Sequence, residues 1–150
     1  MKTILFKLII CLIIFFIISL LLSFTNIKNL NIDFINIQDI LFTVIGIVFS
    51  VGYSVIIGFS LSGIKNEGYL NSFRKDLNNI SIAFIIYFML SILVYILSKI
   101  DFGLTFINIF CVLTLIYIII FLIYNFHRLQ ETKMQIEDRL QKENNKKTNK

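Results

Sequence analysis

The sequence predicts an all-α, polytopic membrane protein: a bundle of four transmembrane helices with a short cytoplasmic C-terminal helix and a disordered basic tail. Hydrophobic residues make up 57% of its 150 residues, whereas a soluble domain has about 45–50% apolar residues. The charged residues leave four uncharged stretches of 20, 25, 22 and 26 residues. Each stretch is long enough to cross about 30 Å of hydrocarbon as a helix.

Charged side chains define the ends of these stretches, because an ionised group at the bilayer centre costs about 2.5–3.5 kcal/mol. The first stretch resembles a signal peptide in position. Its apolar core is too long, however, and no small-residue cleavage site follows, so we expect it to remain in the protein as a helix. We predict spans at about 4–25, 40–64, 79–98 and 104–126 within a transmembrane bundle at 1–127, followed by a cytoplasmic helix and tail at 128–150.

Lysine and arginine are distributed unequally between the two sides of the predicted membrane. With four spans, twelve of these residues lie on the side of the two termini, and only Lys28 and Lys99 lie on the other. Because cytoplasmic segments carry the excess of positive charge, we predict a multi-pass protein of the cytoplasmic (inner) membrane with both termini in the cytoplasm. The abundance of Ile, Phe, Asn and Lys is typical of an AT-rich bacterial genome.

Two segments outside the spans carry apolar residues at helical spacing. The first row, which runs from the segment between spans two and three into the start of span three, is Leu70, Phe73, Leu77 and Ile80. They predict either a short interfacial helix or a cytoplasmic extension of span three. The second row of apolar positions begins at the last residue of span four and consists of Phe126, Leu129, Lys133, Ile136 and Leu140. It predicts that span four continues as an amphipathic helix, with disorder from Asn144 onward because the chain there is polar and basic.

The basic residues next to the spans border apolar runs and not a soluble surface, so we predict contacts with anionic lipid headgroups and none with nucleic acid. We expect headgroup contacts at Arg74, Lys75 and Arg128. The connection from Lys99 to Gly103 is only long enough to turn the chain. Spans three and four are therefore predicted to form an antiparallel hairpin.

Small residues recur at every fourth position of span two. They are Gly46, Ser50, Ser54, Gly58 and Ser62. Small residues promote helix association in lipid because they allow two backbones to approach closely. This small-residue stripe predicts a helix-packing surface. It faces either the other helices of the same chain, with span two at the centre of the bundle, or another chain in a homo-oligomer or a complex with a membrane protein partner.

Hydroxyl side chains follow one face of several spans or fall near the middle of the bilayer. We predict a polar interior formed by Tyr53, Tyr87, Ser91, Thr114 and Tyr117. Hydroxyl groups normally turn away from lipid, where an unpaired polar group is unfavourable. In the interior they either line a polar path or form hydrogen bonds within the bundle.

No aspartate, glutamate, lysine or arginine lies well within a predicted span, whereas coupled transporters usually place an ionisable group there. Cys11 and Cys111 stand far apart, and His127 is the only histidine of the chain. Neither catalysis nor metal binding is indicated. We therefore predict a protein that is not an enzyme, has no cofactor and acts on no soluble small-molecule substrate.

Two classes of function remain. The first is an oligomeric pore-forming or membrane-effector protein. In length, number of spans and charged tail the chain resembles phage holins and membrane-acting defence effectors, a likeness of architecture without a shared motif. The alternative is an accessory or immunity-type membrane protein, similar to a bacteriocin-immunity factor, that binds a partner without conduction or catalysis. The two classes differ in what covers the small-residue stripe.

Overall fold

The structure is a computed structural model that describes residues 2–24, 33–58, 67–100 and 104–148. These residues form four helices, α1 (Lys2–Phe24), α2 (Phe34–Ile57), α3 (Glu67–Lys99) and α4 (Thr105–Thr148). All four are long and apolar enough to cross a membrane. The prediction of an all-α, multi-pass membrane protein with four transmembrane helices is confirmed.

The start of α2 differs from the sequence prediction, because the helix begins at Phe34 instead of about residue 40. Asp33 caps it: the carboxylate accepts a hydrogen bond of 3.0 Å from the backbone N–H of Asn36. Such a cap supplies a partner for one of the free N–H groups at a helix start. Asp39 therefore lies inside the helix, whereas the sequence prediction places it just before the span.

α3 and α4 are longer than a bilayer requires. Their 33 and 44 residues correspond to about 50 and 66 Å at 1.5 Å per residue, compared with about 30 Å of hydrocarbon. Gly52 of α2 lies against Phe84 of the antiparallel α3. The end of α2 at Ile57, five residues after Gly52, is therefore level with the position five residues before Phe84. Beyond this level α3 and α4 continue without α2. We call the two continuing segments, 67–78 of α3 and 129–148 of α4, the stalk.

The C-terminal region differs from the predicted short helix and disordered tail. α4 is a single helix that continues to Thr148, so neither a separate C-terminal helix nor disorder from Asn144 to Thr148 is supported. No glycine or proline follows Gly103. The glutamate, glutamine, lysine and arginine that are abundant there favour a helix, because they lose little rotamer freedom in it.

α3 and α4 pack through one face of each helix. The buried row of α3 consists of Phe73, Leu77, Ile80, Phe84, Tyr87, Ser91, Val94 and Ser98. The row of α4 consists of Cys111, Leu115, Ile118, Leu122, Asn125, Leu129, the half-buried Thr132 and Ile136. Both rows advance in alternating steps of four and three residues, the spacing of a left-handed coiled coil. This seam continues from the membrane-spanning part into the stalk.

Two side-chain contacts define the register of α3 and α4. The ring of Tyr87 stacks on that of Phe121 with 3.6 Å between centroids. In the stalk, the guanidinium of Arg139 lies 4.6 Å from the ring centroid of Tyr69. The two helices therefore form an antiparallel hairpin, as the short connection between them predicts.

The segment before span three is part of α3, which is continuous from Glu67. Of the two alternatives, the structure thus has the extension of span three and not a separate interfacial helix. The segment buries Phe73, Leu77 and Ile80, while Leu70 is half-buried. The residues that suggested an amphipathic helix on the membrane surface are buried in the hairpin instead.

The seam of α4 near and within the stalk differs by two residues from the row that the sequence suggested, and the first is Asn125, which is buried in place of the half-buried Phe126. Leu129 and Ile136 belong to both rows, but Thr132 lies between them in place of Lys133, which is exposed. The ammonium group of Lys133 stays in contact with water because burying an unpaired charge is costly. Its partner is Glu137, at 3.9 Å on the same helix. The environment of Leu140 lies outside the described residues.

α4 is the central helix of the bundle. It packs against each of the other three helices, α2 and α3 also pack against each other, and α1 packs chiefly on α4. The rings of Phe106 and Phe110 meet Phe16 of α1 edge to face, each at 6.0 Å between centroids. The alternative with span two at the centre is therefore not what the structure shows.

Candidate packing surface and bundle interior

The small-residue stripe of α2 faces outward. Ser50, Ser54 and Gly58 are exposed and Gly46 is half-buried, while Ser62 lies outside the described residues. A Cβ atom added at Gly46 would meet no neighbouring atom within 4 Å, and one added at Gly58 would meet only backbone carbonyls of its own helix. The described part of the stripe therefore takes no part in close packing against the other described residues.

Hydroxyl groups on this outward face bond to their own helix. Ser50 donates a hydrogen bond of 2.7 Å to the carbonyl of Gly46, and Thr43 donates one of 2.8 Å to the carbonyl of Asp39. Because a hydroxyl without a partner is unfavourable in lipid, these bonds make the face compatible with acyl chains. The side chains of the stripe are also small, so another helix can approach this face closely.

Inside the chain, the close approach between helices occurs at Gly52 and not at the stripe. Gly52 is buried against the ring of Phe84, which is itself fully buried. A Cβ atom at this position would overlap Cε1 of Phe84 and lie 2.7 Å from its Cζ. Gly52 was not among the packing residues predicted from the four-residue repeat. It belongs instead to the buried row of α2, Gln38, Ile45 and Gly52, which are spaced by seven residues.

Stacked aromatic rings hold α2 on α3. Phe42 stacks on Tyr95 with 4.2 Å between centroids, and Phe49 stacks on Phe88 at 4.0 Å. Tyr53, which was predicted in the polar interior, is half-buried and stacks on Phe49 of its own helix at 5.5 Å. This face of α2 is therefore the one used within the bundle, and it points away from the small-residue stripe.

Two of the predicted interior hydroxyl residues bond to their own helices. Ser91 donates to the carbonyl of Phe88 at 2.7 Å, and Thr114 donates to the carbonyl of Phe110 at 2.8 Å. Both side chains are fully buried. Such bonds within one helix satisfy a hydroxyl in an apolar interior without a partner on another helix.

Tyr87 and Tyr117 are brought together inside the bundle. Their hydroxyl oxygens lie 3.3 Å apart, and the Cys11 thiol of α1 lies beside the Tyr117 hydroxyl. The ring of Phe15 meets that of Tyr117 edge to face at 5.5 Å. The pair thus links α3 and α4 and marks where α1 docks. Of the five predicted interior residues, the structure joins these two, while Tyr53, Ser91 and Thr114 contact other groups.

A charged cluster lies at the end of the bundle where α2 begins. The Asp39 carboxylate pairs with the Lys99 ammonium group, and the Tyr95 hydroxyl donates a hydrogen bond of 2.9 Å to the same carboxylate oxygen. The ammonium group also lies 5.0 Å from the Tyr95 ring centroid. This cluster joins α2 to α3, so Asp39 can lie within a helix near the membrane boundary because its charge is paired.

Gln38, next to this cluster, is fully buried between α2 and α4. Its Nε2 donates a weak hydrogen bond of 3.4 Å to the carbonyl of Asn108, and its Oε1 has no hydrogen-bond partner among the residues that the structure describes. A buried acceptor without a partner costs about 1–3 kcal/mol. A lone amide near the start of a span is not distinctive in sequence, so no role was predicted for Gln38.

The residues predicted to contact lipid headgroups, Arg74, Lys75 and Arg128, are all exposed. Arg128 lies close to the level at which α2 ends. Arg74 and Lys75 lie on the stalk, about 8 Å further from the bundle at 1.5 Å per residue. The three cations are therefore spread along one end of the molecule, with Arg128 nearest to the apolar part.

Three groups of residues stand out: the small-residue stripe, the tyrosine pair and the charged groups at the two ends. No three His, Cys, Asp or Glu side chains within the described ranges form a group that could hold a metal ion. Comparison of the chain with protein-family models, with curated proteins and with solved structures finds no match.

Proposed function

We propose that the chain is a membrane effector that assembles into a homo-oligomer through the small-residue stripe of α2 and forms a pore between copies. The observation that carries this proposal is the outward direction of the stripe. Four small residues recur along a face at which the described part of the chain leaves Ser50, Ser54 and Gly58 exposed and makes no close contact at Gly46. Because lipid gives no hydrophobic drive for helices to associate, such a face favours association through close backbone contact.

The pore of this proposal lies between copies because the interior of one chain is tightly packed. Phe84, Leu115, Ile118 and Leu122 are fully buried, and the Tyr87 ring stacks directly on Phe121. A path through one chain requires these side chains to separate. A path between copies leaves the hairpin of α3 and α4 intact.

The orientation in this proposal has both termini and the stalk in the cytoplasm, and the membrane is the cytoplasmic one. The distribution of lysine and arginine along the sequence supports it, since four spans put twelve of the fourteen on the side of the two termini. Arg128, Arg74 and Lys75 then face the inner leaflet or the water next to it. Anionic headgroups there attract each such cation by about 1 kcal/mol.

The second candidate function is an accessory or immunity-type protein that binds a partner without conduction. The stalk favours it, because two paired helices extend beyond the end of α2 and present charged side chains outside the apolar part of the bundle. In this function the small-residue stripe docks on a helix of a different membrane protein. The packed interior then has no transport role.

The experiment that tests the proposal combines native mass spectrometry of the protein in nanodiscs with dye release from liposomes. The test variant is S54L/G58L, which places two branched side chains on the stripe. The matched control is Leu93→Phe, which adds volume to a side chain of α3 that is 63% exposed. Neither change contacts the described interior, so both variants should fold.

We expect the wild type and L93F to form the same oligomer and release dye, and S54L/G58L to be monomeric and inactive. An oligomer that persists in S54L/G58L would remove the stripe from the proposal. A wild-type monomer that releases no dye would overturn the pore and support the accessory function. Equal helix content of the three proteins by circular dichroism would show that assembly, and not folding, is what changed; melting temperatures are not used for this because association by itself stabilises the folded state.

A further inference from the structure

We draw no further inference here: the strongest candidate, the groove of about 360 Å³ between α3 and α4 on the stalk, brings Asp76 and Asp138 together beside Arg139, but no buried polar side chain without a partner lies in it among the described residues, and nothing in the structure shows what covers it.

Discussion

Gly52 and Gly46 lie on the same helix, and replacement by alanine should lower the stability of the protein at Gly52 relative to Gly46. At Gly52 the new methyl group would overlap the Phe84 ring, whereas at Gly46 it would enter open space. Alanine favours a helix over glycine by about 1 kcal/mol at both positions, so this contribution cancels when the two variants are compared. The overlap in a packed core costs about 1–3 kcal/mol. We therefore expect G52A to be less stable than G46A by about 1–3 kcal/mol.

Unfolding in mixed micelles with an increasing proportion of SDS gives the free energy of unfolding of each variant. Cys111 is fully buried and free, so its reaction with a thiol-specific dye reports opening of the bundle. The half-buried Cys11 is replaced by serine in every protein measured, which leaves Cys111 as the one reactive thiol. The Cys11→Ser protein with both glycines intact is the reference.

A third variant, F84L, tests whether overlap with the Phe84 ring is what destabilises G52A. Leucine at position 84 lacks the ring atoms Cε1 and Cζ that a methyl group at Gly52 would meet. F84L alone should destabilise the bundle, because it leaves space beside Gly52. The double variant G52A/F84L should be more stable than the sum of the two single effects predicts. Equal stabilities of G52A and G46A, or simple additivity in the double variant, would refute the proposed close approach of α2 and α3.

Three further predictions concern polar and buried residues at the two ends of the molecule. Asp39→Asn removes the ion pair with Lys99, whose two side chains are both partly exposed. We therefore expect a small decrease in melting temperature that disappears at high salt, and a decrease independent of salt would contradict the ion pair as its cause. Gln38→Leu removes at similar volume the Oε1 atom, which has no partner among the described residues, so unfolding should need the same or a higher proportion of SDS. A loss of more than about 1 kcal/mol of stability would mean that this oxygen accepts a hydrogen bond in the folded protein. Ile136→Asn should open the stalk and speed tryptic cleavage there, whereas Met134→Asn, at a side chain that is 56% exposed, should not. Equal cleavage rates of the two variants would contradict the burial of Ile136 in the seam of α3 and α4.

The unbroken seam of α3 and α4 explains how these two helices can extend beyond the end of α2 as the stalk. A two-helix pair in water is stabilised by the residues buried between its helices, and here Phe73, Leu77, Leu129 and Ile136 are all buried. The same row continues through the membrane-spanning part. The stalk is therefore an extension of the packing in the bundle and not a separate domain.

The sequence by itself determined the number of helices and their membrane character. Both follow from the distribution of charge, since an ionised side chain is costly in hydrocarbon whatever the tertiary structure. The charge pattern was less reliable for the ends of helices. Asp39 lies inside α2 because Lys99 and Tyr95 satisfy its carboxylate, and those partners are about sixty residues away in sequence.

The sequence also identified the two amphipathic segments but not their common partner. Leu70, Phe73 and Leu77 were consistent with a helix on a membrane surface, because periodicity alone does not show what covers an apolar face. In the membrane-spanning parts the heptad spacing could not be recognised, since lipid-facing positions are as apolar as buried ones. Only the packing of α3 on α4 separates Leu115, which is buried, from Ile116, which is exposed.

Which glycine is packed was likewise decided by the tertiary structure. The four-residue repeat drew attention to Gly46 and Gly58, yet both face outward, and Gly52 is the one that lies against another helix. A small residue shows that a close approach is sterically allowed, but the large side chains on the same helix determine which face turns inward. On α2 the rings of Phe42 and Phe49 stack on α3, and this leaves the small-residue stripe on the opposite surface.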